Sequence, residues 1–135
     1  MNRLVIASHG QFASGIVDSL QMIGGDSANH IEVYCMKPGE AADDYAKTLE
    51  KEIFAHNDDT FVVLTDLYGA SVCNALMRLS SYENVFVVSG VNLNLALAIL
   101  LEQETINASS LQELVNQARD GLKIVEMQTL ENEDF

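Results

Sequence analysis

Two side chains stand out by type and position. His9 sits in Ile6-Ala7-Ser8-His9-Gly10, directly after a short apolar run. Asp66 sits in Leu64-Thr65-Asp66-Leu67-Tyr68-Gly69-Ala70-Ser71, directly after the strongest apolar run of the chain. A carboxylate bonded to one ring nitrogen of an imidazole fixes the tautomer. The other nitrogen is left unprotonated and nucleophilic, and positive charge on the ring is stabilised. Gly10 and Gly69 let backbone come close to a ligand. Helices that begin just after both segments aim N–H groups and dipoles at one spot, which suits an anion such as phosphate. A nucleophilic histidine facing a phosphate cradle reads as a phosphohistidine carrier.

Each feature also has a plainer reading. Asp66 alone is equally a helix cap. Gly10, Gly69 and Gly90 alone are turn residues. Cys73 sits among apolar neighbours and reads as a core thiol. Gly69-Ala70-Ser71-Val72-Cys73 lacks the second glycine of a nucleophile elbow, so a hydrolase is disfavoured.

His9 and Asp66 meet only if the fold brings them together. Leu4-Val5-Ile6-Ala7, Ile31-Glu32-Val33-Tyr34-Cys35, Thr60-Phe61-Val62-Val63-Leu64-Thr65 and Val85-Phe86-Val87-Val88-Ser89 read as four strands. Helical spacing follows each: Phe12, Ile16, Leu20 and Ile23; then Tyr45, Leu49 and Ile53; then about 70–79; then Leu93 to about Gln103. Gly24-Gly25 stops the first helix. Ser110 and Glu113 have capping-box spacing, which starts a fifth helix at Ser110. Alternating strands and helices mean right-handed βαβ units. The expected fold is α/β: a doubly wound, mainly parallel four-stranded sheet flanked by helices. Residues 1–127 form one domain and 128–135 an acidic tail. Sites in such sheets lie beyond the carboxyl ends of the strands, at the switch in strand order. His9, Asp66 and Ser71 fall at that edge. His30 and His56 precede strands, so they fall at the other. No second imidazole reaches His9, and no metal site is expected.

Composition narrows the classes. The 135 residues are 48% hydrophobic with a single proline, the profile of one ordinary globular domain. Twenty acidic against seven basic residues give a net charge of −13, and the basic residues are scattered. Nucleic acid and anionic lipid are therefore poor partners. Cys35 and Cys73 show no motif spacing and read as free thiols in a reducing compartment. The N-terminal apolar stretch is too short for a signal peptide, and Leu93–Leu101 is about half a membrane span. A cytoplasmic location is expected.

At the residues quoted, the sequence resembles the enzyme IIA component of the bacterial sugar phosphotransferase system, mannose/fructose/sorbose type. The matching pieces are Ile6-Ala7-Ser8-His9-Gly10, Lys37-Pro38-Gly39-Glu40, Leu64 to Ser71 with Asn74, and Ser89-Gly90-Val91-Asn92-Leu93. They cover residues 1–125 in the family's order. The resemblance implies that His9 carries the phosphoryl group, that Asp66 bonds its ring, and that Ser71 lies near the phosphate. Gly10, Gly69, Ala70 and Ser71 are the expected phosphate-binding residues, with no cofactor and no metal ligand. The resemblance further implies a donor, the phosphocarrier protein HPr, and an acceptor, a separate enzyme IIB. Membrane IIC and IID subunits would act downstream. Family members are homodimers that exchange a C-terminal strand, which would assign Ile124–Met127 to the partner's sheet. Val72 replaces a proline, Gln11 an aromatic and Tyr68 a tryptophan of the family pattern; these departures bear on partner preference. The phosphoryl-donor subunit of dihydroxyacetone kinase shares fold and histidine, but Gly90-Val91-Asn92 and Lys37-Pro38-Gly39-Glu40 favour the transport branch.

Other classes fit less well. A two-component receiver needs an acidic pair after the first strand to hold magnesium, where this chain has Ser8-His9. A flavodoxin-like module needs a hydroxyl-rich loop where Gly10-Gln11-Phe12-Ala13 stands. A regulatory domain of the same fold, without transport, stays open as an alternative, although the presence of both His9 and Asp66 argues for competence in transfer. Transfer between two histidines depends on positioning and N–H donors more than on a divalent clamp. Transfer from HPr phosphorylated beforehand is therefore expected to survive a chelator. A loss restored by magnesium would point instead to a receiver-like site.

Overall fold

Residues 1–127 are described in a computed structural model; the tail at 128–135 lies outside the described residues. The elements run β1 (Asn2–His9), α1 (Phe12–Gly24), β2 (Glu32–Met36), α2 (Ala42–Ala55), β3 (Thr60–Thr65), α3 (Ser71–Met77), β4 (Val85–Val88), α4 (Leu93–Leu101) and α5 (Ala108–Asp120). Short 3₁₀ turns cover Gly25–His30 and Arg78–Ser81. The four strands form one sheet in the order β2-β1-β3-β4. Every pairing is parallel.

The pleat divides the apolar runs between two cores. Leu4, Ile6, Val62 and Leu64 face α1, α4 and α5. Val5, Ala7, Phe61 and Val63 face α2 and α3. All six residues of β3 are buried, as a central strand covered on both faces requires. Tyr45 of α2 stacks on Tyr34 of β2, with ring centroids 4.2 Å apart, and its hydroxyl donates to Glu32. That contact seats α2 over the β2 edge. Asn2 ties the start of β1 to the link between α4 and α5: its side chain donates to the Glu104 carbonyl at 2.8 Å and accepts from the Ile106 N–H at 3.0 Å.

The sequence reading departs from the structure at several element ends. Helix α5 begins at Ala108, not at Ser110. Its cap is Asn107, whose side chain accepts from Ser110 N–H while the Ser110 hydroxyl takes the Asn107 N–H. Helix α3 covers Ser71–Met77 and tightens into a 3₁₀ turn, and α4 stops at Leu101. Phe12 and Ile23 keep helical spacing but stay exposed, while Ile16 and Leu20 are buried. Cys35 is half-buried and Cys73 buried; both are free thiols. Ile124–Met127 pairs with no strand among the described residues.

The strand order places the site. From β1 the chain passes to β2 on one side and later to β3 on the other. The switch therefore falls between β1 and β3, at whose carboxyl ends His9 and Asp66 stand.

Candidate functional site

His9 is the last residue of β1 and is held by its backbone as well as its ring. Its N–H donates to Asp66 Oδ2 at 2.8 Å. Ring Nδ1 lies 2.8 Å from the same oxygen. Oδ1 accepts the Leu67 N–H at 3.0 Å. An ionised carboxylate only accepts hydrogen bonds, so Nδ1 carries a proton, and in the neutral ring the lone pair is then on Nε2. Nε2 lies 3.2 Å from Ser71 Oγ, within reach of the hydroxyl proton. The His9 side chain is 41% exposed and that of Asp66 10%, so the imidazole is accessible and its partner is covered.

The aspartate is tuned by opposing effects. Burial raises its pKa, which alone would favour the neutral acid. The His9 N–H, the ring bond, the charge on the ring and the Leu67 N–H together outweigh burial and hold Asp66 below the ordinary carboxylate range. The carboxylate is thus ionised at neutral pH, ready to balance positive charge on the ring. Helix α3 is not capped by it: the cap residue is Ala70, without a side-chain bond. Asp66 therefore serves the histidine and its own turn, not the next helix.

The expected phosphate-binding residues are brought to the same edge but differ in what they offer. Gly10 has φ 55°, which favours glycine, and its N–H is spent on the Met36 carbonyl at 2.9 Å. Ala70 N–H is directed to the Leu67 carbonyl at 3.3 Å. Gly69 has φ 79°, and its carbonyl accepts from Asn74 Nδ2 at 2.9 Å. Ser71 alone of the four reaches the ring with its side chain. The role of Asn74, which steadies the Gly69 turn, needed the loop geometry to be visible. Pro38 and Gly39 make the turn beside Gly10, closed by Glu40, whose carboxylate accepts the Lys37 N–H at 2.6 Å. His30 ends the 3₁₀ turn before β2, and His56 caps α2 before β3; both lie at the amino edge of the sheet. No cluster of three or more potential metal-ligating side chains occurs among the described residues. No helix among them is long and apolar enough to cross a membrane.

Among the described residues the sheet edge beyond β4 is open. Beside it runs a groove of about 440 Å³ lined by residues of β4, the following loop, α4 and α5, including Val87, Leu111, Val115 and Arg119.

Comparison with known proteins places the chain. The sorbose-specific EIIA component of the phosphotransferase system (PTS) of Klebsiella pneumoniae is 35% identical over 112 residues, 82% of each chain. The PTS IIA protein associated with the fucose utilization operon of Streptococcus pneumoniae superposes with a TM-score of 0.79 at 30% identity, covering 95% of this chain and 96% of its own. The PTS component EIIA of Streptococcus agalactiae superposes with a TM-score of 0.79 at 27% identity, covering 96% and 99%. Residues 3–119 match the EIIA-man family, described as PTS system fructose IIA component, and the chain belongs to that family.

Proposed function

We propose that this IIA component carries phosphate on His9, accepting it from HPr and passing it to an enzyme IIB during sugar uptake. The carrying observation is the ring of His9, oriented at Nδ1 by a covered carboxylate and presenting Nε2 beside the Ser71 hydroxyl. In the forward step the Nε2 lone pair attacks phosphorus on the donor histidine. The donor P–N bond breaks, its electron pair returns to the donor ring, and a P–Nε2 bond forms. Because Nδ1 keeps its proton, the phosphorylated ring is cationic, and Asp66 balances that charge. Ser71 then turns its proton from Nε2 to a phosphoryl oxygen. Passage to IIB is the same step reversed onto a new nucleophile. Positioning and preorganised charge carry the reaction.

Intact-mass measurement after incubation with enzyme I, HPr and phosphoenolpyruvate tests the reading. One phosphoryl group is expected, lost on incubation with IIB. An unchanged mass would refute it. The reading includes action in the cytoplasm, upstream of membrane IIC and IID subunits, by a homodimer that exchanges the segment containing Ile124–Met127.

Asp66→Asn keeps the size of the side chain but removes the charge. Its amide must also point a second donor at either the Leu67 N–H or the His9 N–H. Transfer to IIB is expected to slow by at least about tenfold with the fold retained. Stopped-flow or quench kinetics with unchanged rates would reduce Asp66 to a turn-forming residue. The pH sign follows from its lowered pKa: the contribution of Asp66 to stability is complete above the unfolded aspartate range and is lost as pH falls through the lower folded value. In Asp66→Asn the acid limb of the stability curve should flatten there.

A further inference from the structure

The structure assigns Ser8 as a positioning residue for His9, an inference that rests on the carrier reading above. Ser8 is fully buried at the carboxyl end of β1. Its Oγ accepts the Ala13 N–H at 2.8 Å and lies 3.4 Å from the Gly10 carbonyl. Ala13 is in the first turn of α1, where N–H groups have no intrahelical partner. The helix's own cap residue, Gln11, makes no side-chain bond. The capping role thus falls to a hydroxyl on the preceding strand, beyond the histidine. One consequence is geometric. Ser8 closes the span from 8 to 13, so the start of α1 is fixed relative to the His9 ring. The neighbouring anchors are the His9 N–H to the Asp66 carboxylate and the Gly10 N–H to the Met36 carbonyl, both donated by backbone. Ser8 is the side chain within β1 and its turn that substitution can remove without touching the acceptor or its carboxylate.

Ser8→Ala and Ser8→Cys test this; cysteine preserves volume while its thiol accepts poorly. Both are expected to reach the wild-type extent of phosphorylation by HPr, but with the limiting rate lowered about tenfold and the KM for HPr little changed. In the unphosphorylated proteins, NMR should show a weakened His9 Nδ1–H signal and faster exchange of the Ala13 amide. A merely structural hydroxyl would lower the melting temperature and leave the Nδ1–H signal and the limiting rate alone. Wild-type rate and signal in Ser8→Cys would overturn the assignment, even if Ser8→Ala fails to fold. If the unsubstituted protein takes up no phosphate, the carrier reading falls, and the Nδ1–H and Ala13 signals alone decide the role of Ser8.

Discussion

His9→Ala is expected to take up no phosphate from phosphorylated HPr, while His30→Ala and His56→Ala label like the unsubstituted protein. Three histidines are present, and only one has a nucleophilic nitrogen prepared by its surroundings. His9 Nδ1 is engaged by Asp66 at 2.8 Å, which leaves Nε2 free to attack. His56 sits 3.7 Å from Glu52 on the same helix face, an exposed pair with no hydroxyl or N–H cradle described beside it. His30 closes a 3₁₀ turn at the amino edge. A donor docked at the carboxyl edge is separated from both by the length of the sheet, with strands rising about 3.3 Å per residue. The effect should be all or none, because neither of the other two imidazoles lies at the edge where the donor docks. Acid-labile phosphate persisting on His9→Ala, seen by intact mass, would move the acceptor elsewhere. Removal of the imidazole also frees Asp66, a covered carboxylate, so the variant's fold should be checked by circular dichroism.

The fold was legible because parallel strands covered on both faces leave continuous apolar runs. Thr60 to Thr65 is such a run, and all of it is buried. The site was legible for a related reason: the strand ends fix which residues reach the carboxyl edge, and so bring His9 to Asp66. Periodicity carries less information about depth. Phe12, Ile16, Leu20 and Ile23 share one spacing, yet only the middle two are covered, since the length of the sheet limits how far a flanking helix is buried. Local capping was misread where two patterns overlap: Ser110 pairs with Asn107 before it, not with Glu113 after it. Loop hydrogen bonds were not legible at all. That Gly10 spends its N–H on Met36, or that Ser8 reaches Ala13, depends on backbone angles that neighbouring residue types do not dictate.

Deleting everything after Gly121 is expected to leave monomer or aggregate with little phosphoryl acceptance in place of the proposed strand-exchanged dimer. Among the described residues the edge strand β4 has no neighbour on its outer side, and an open edge is a template for pairing. The groove along it is lined by Val87, Leu111 and Val115 together with Asn92, Gln112 and Arg119, a mixed surface suited to a strand of alternating apolar and polar residues. Leu122 and Ile124 are each 90% exposed in the single chain, with Val125 and Met127 also largely exposed. Such a run is costly to leave in water, at about 25 cal/mol for each Å² of apolar surface. It makes no ladder with the described residues of its own chain. Reciprocal exchange would satisfy both features at once: each chain's terminal segment would cover the other's β4 edge and the groove beside it. Interfaces built this way are large and apolar, so the dimer should persist on dilution. The expected coupling to chemistry runs through β4. Its carboxyl end leads to Val91, whose N–H donates at 2.9 Å to the Thr65 carbonyl, directly before Asp66. An unsupported β4 would loosen that bond and with it the carboxylate that orients His9. Light scattering and mass shift on the truncated protein decide the matter. A protein ending at Gly121 that remains dimeric and accepts phosphate at the full rate would refute strand exchange.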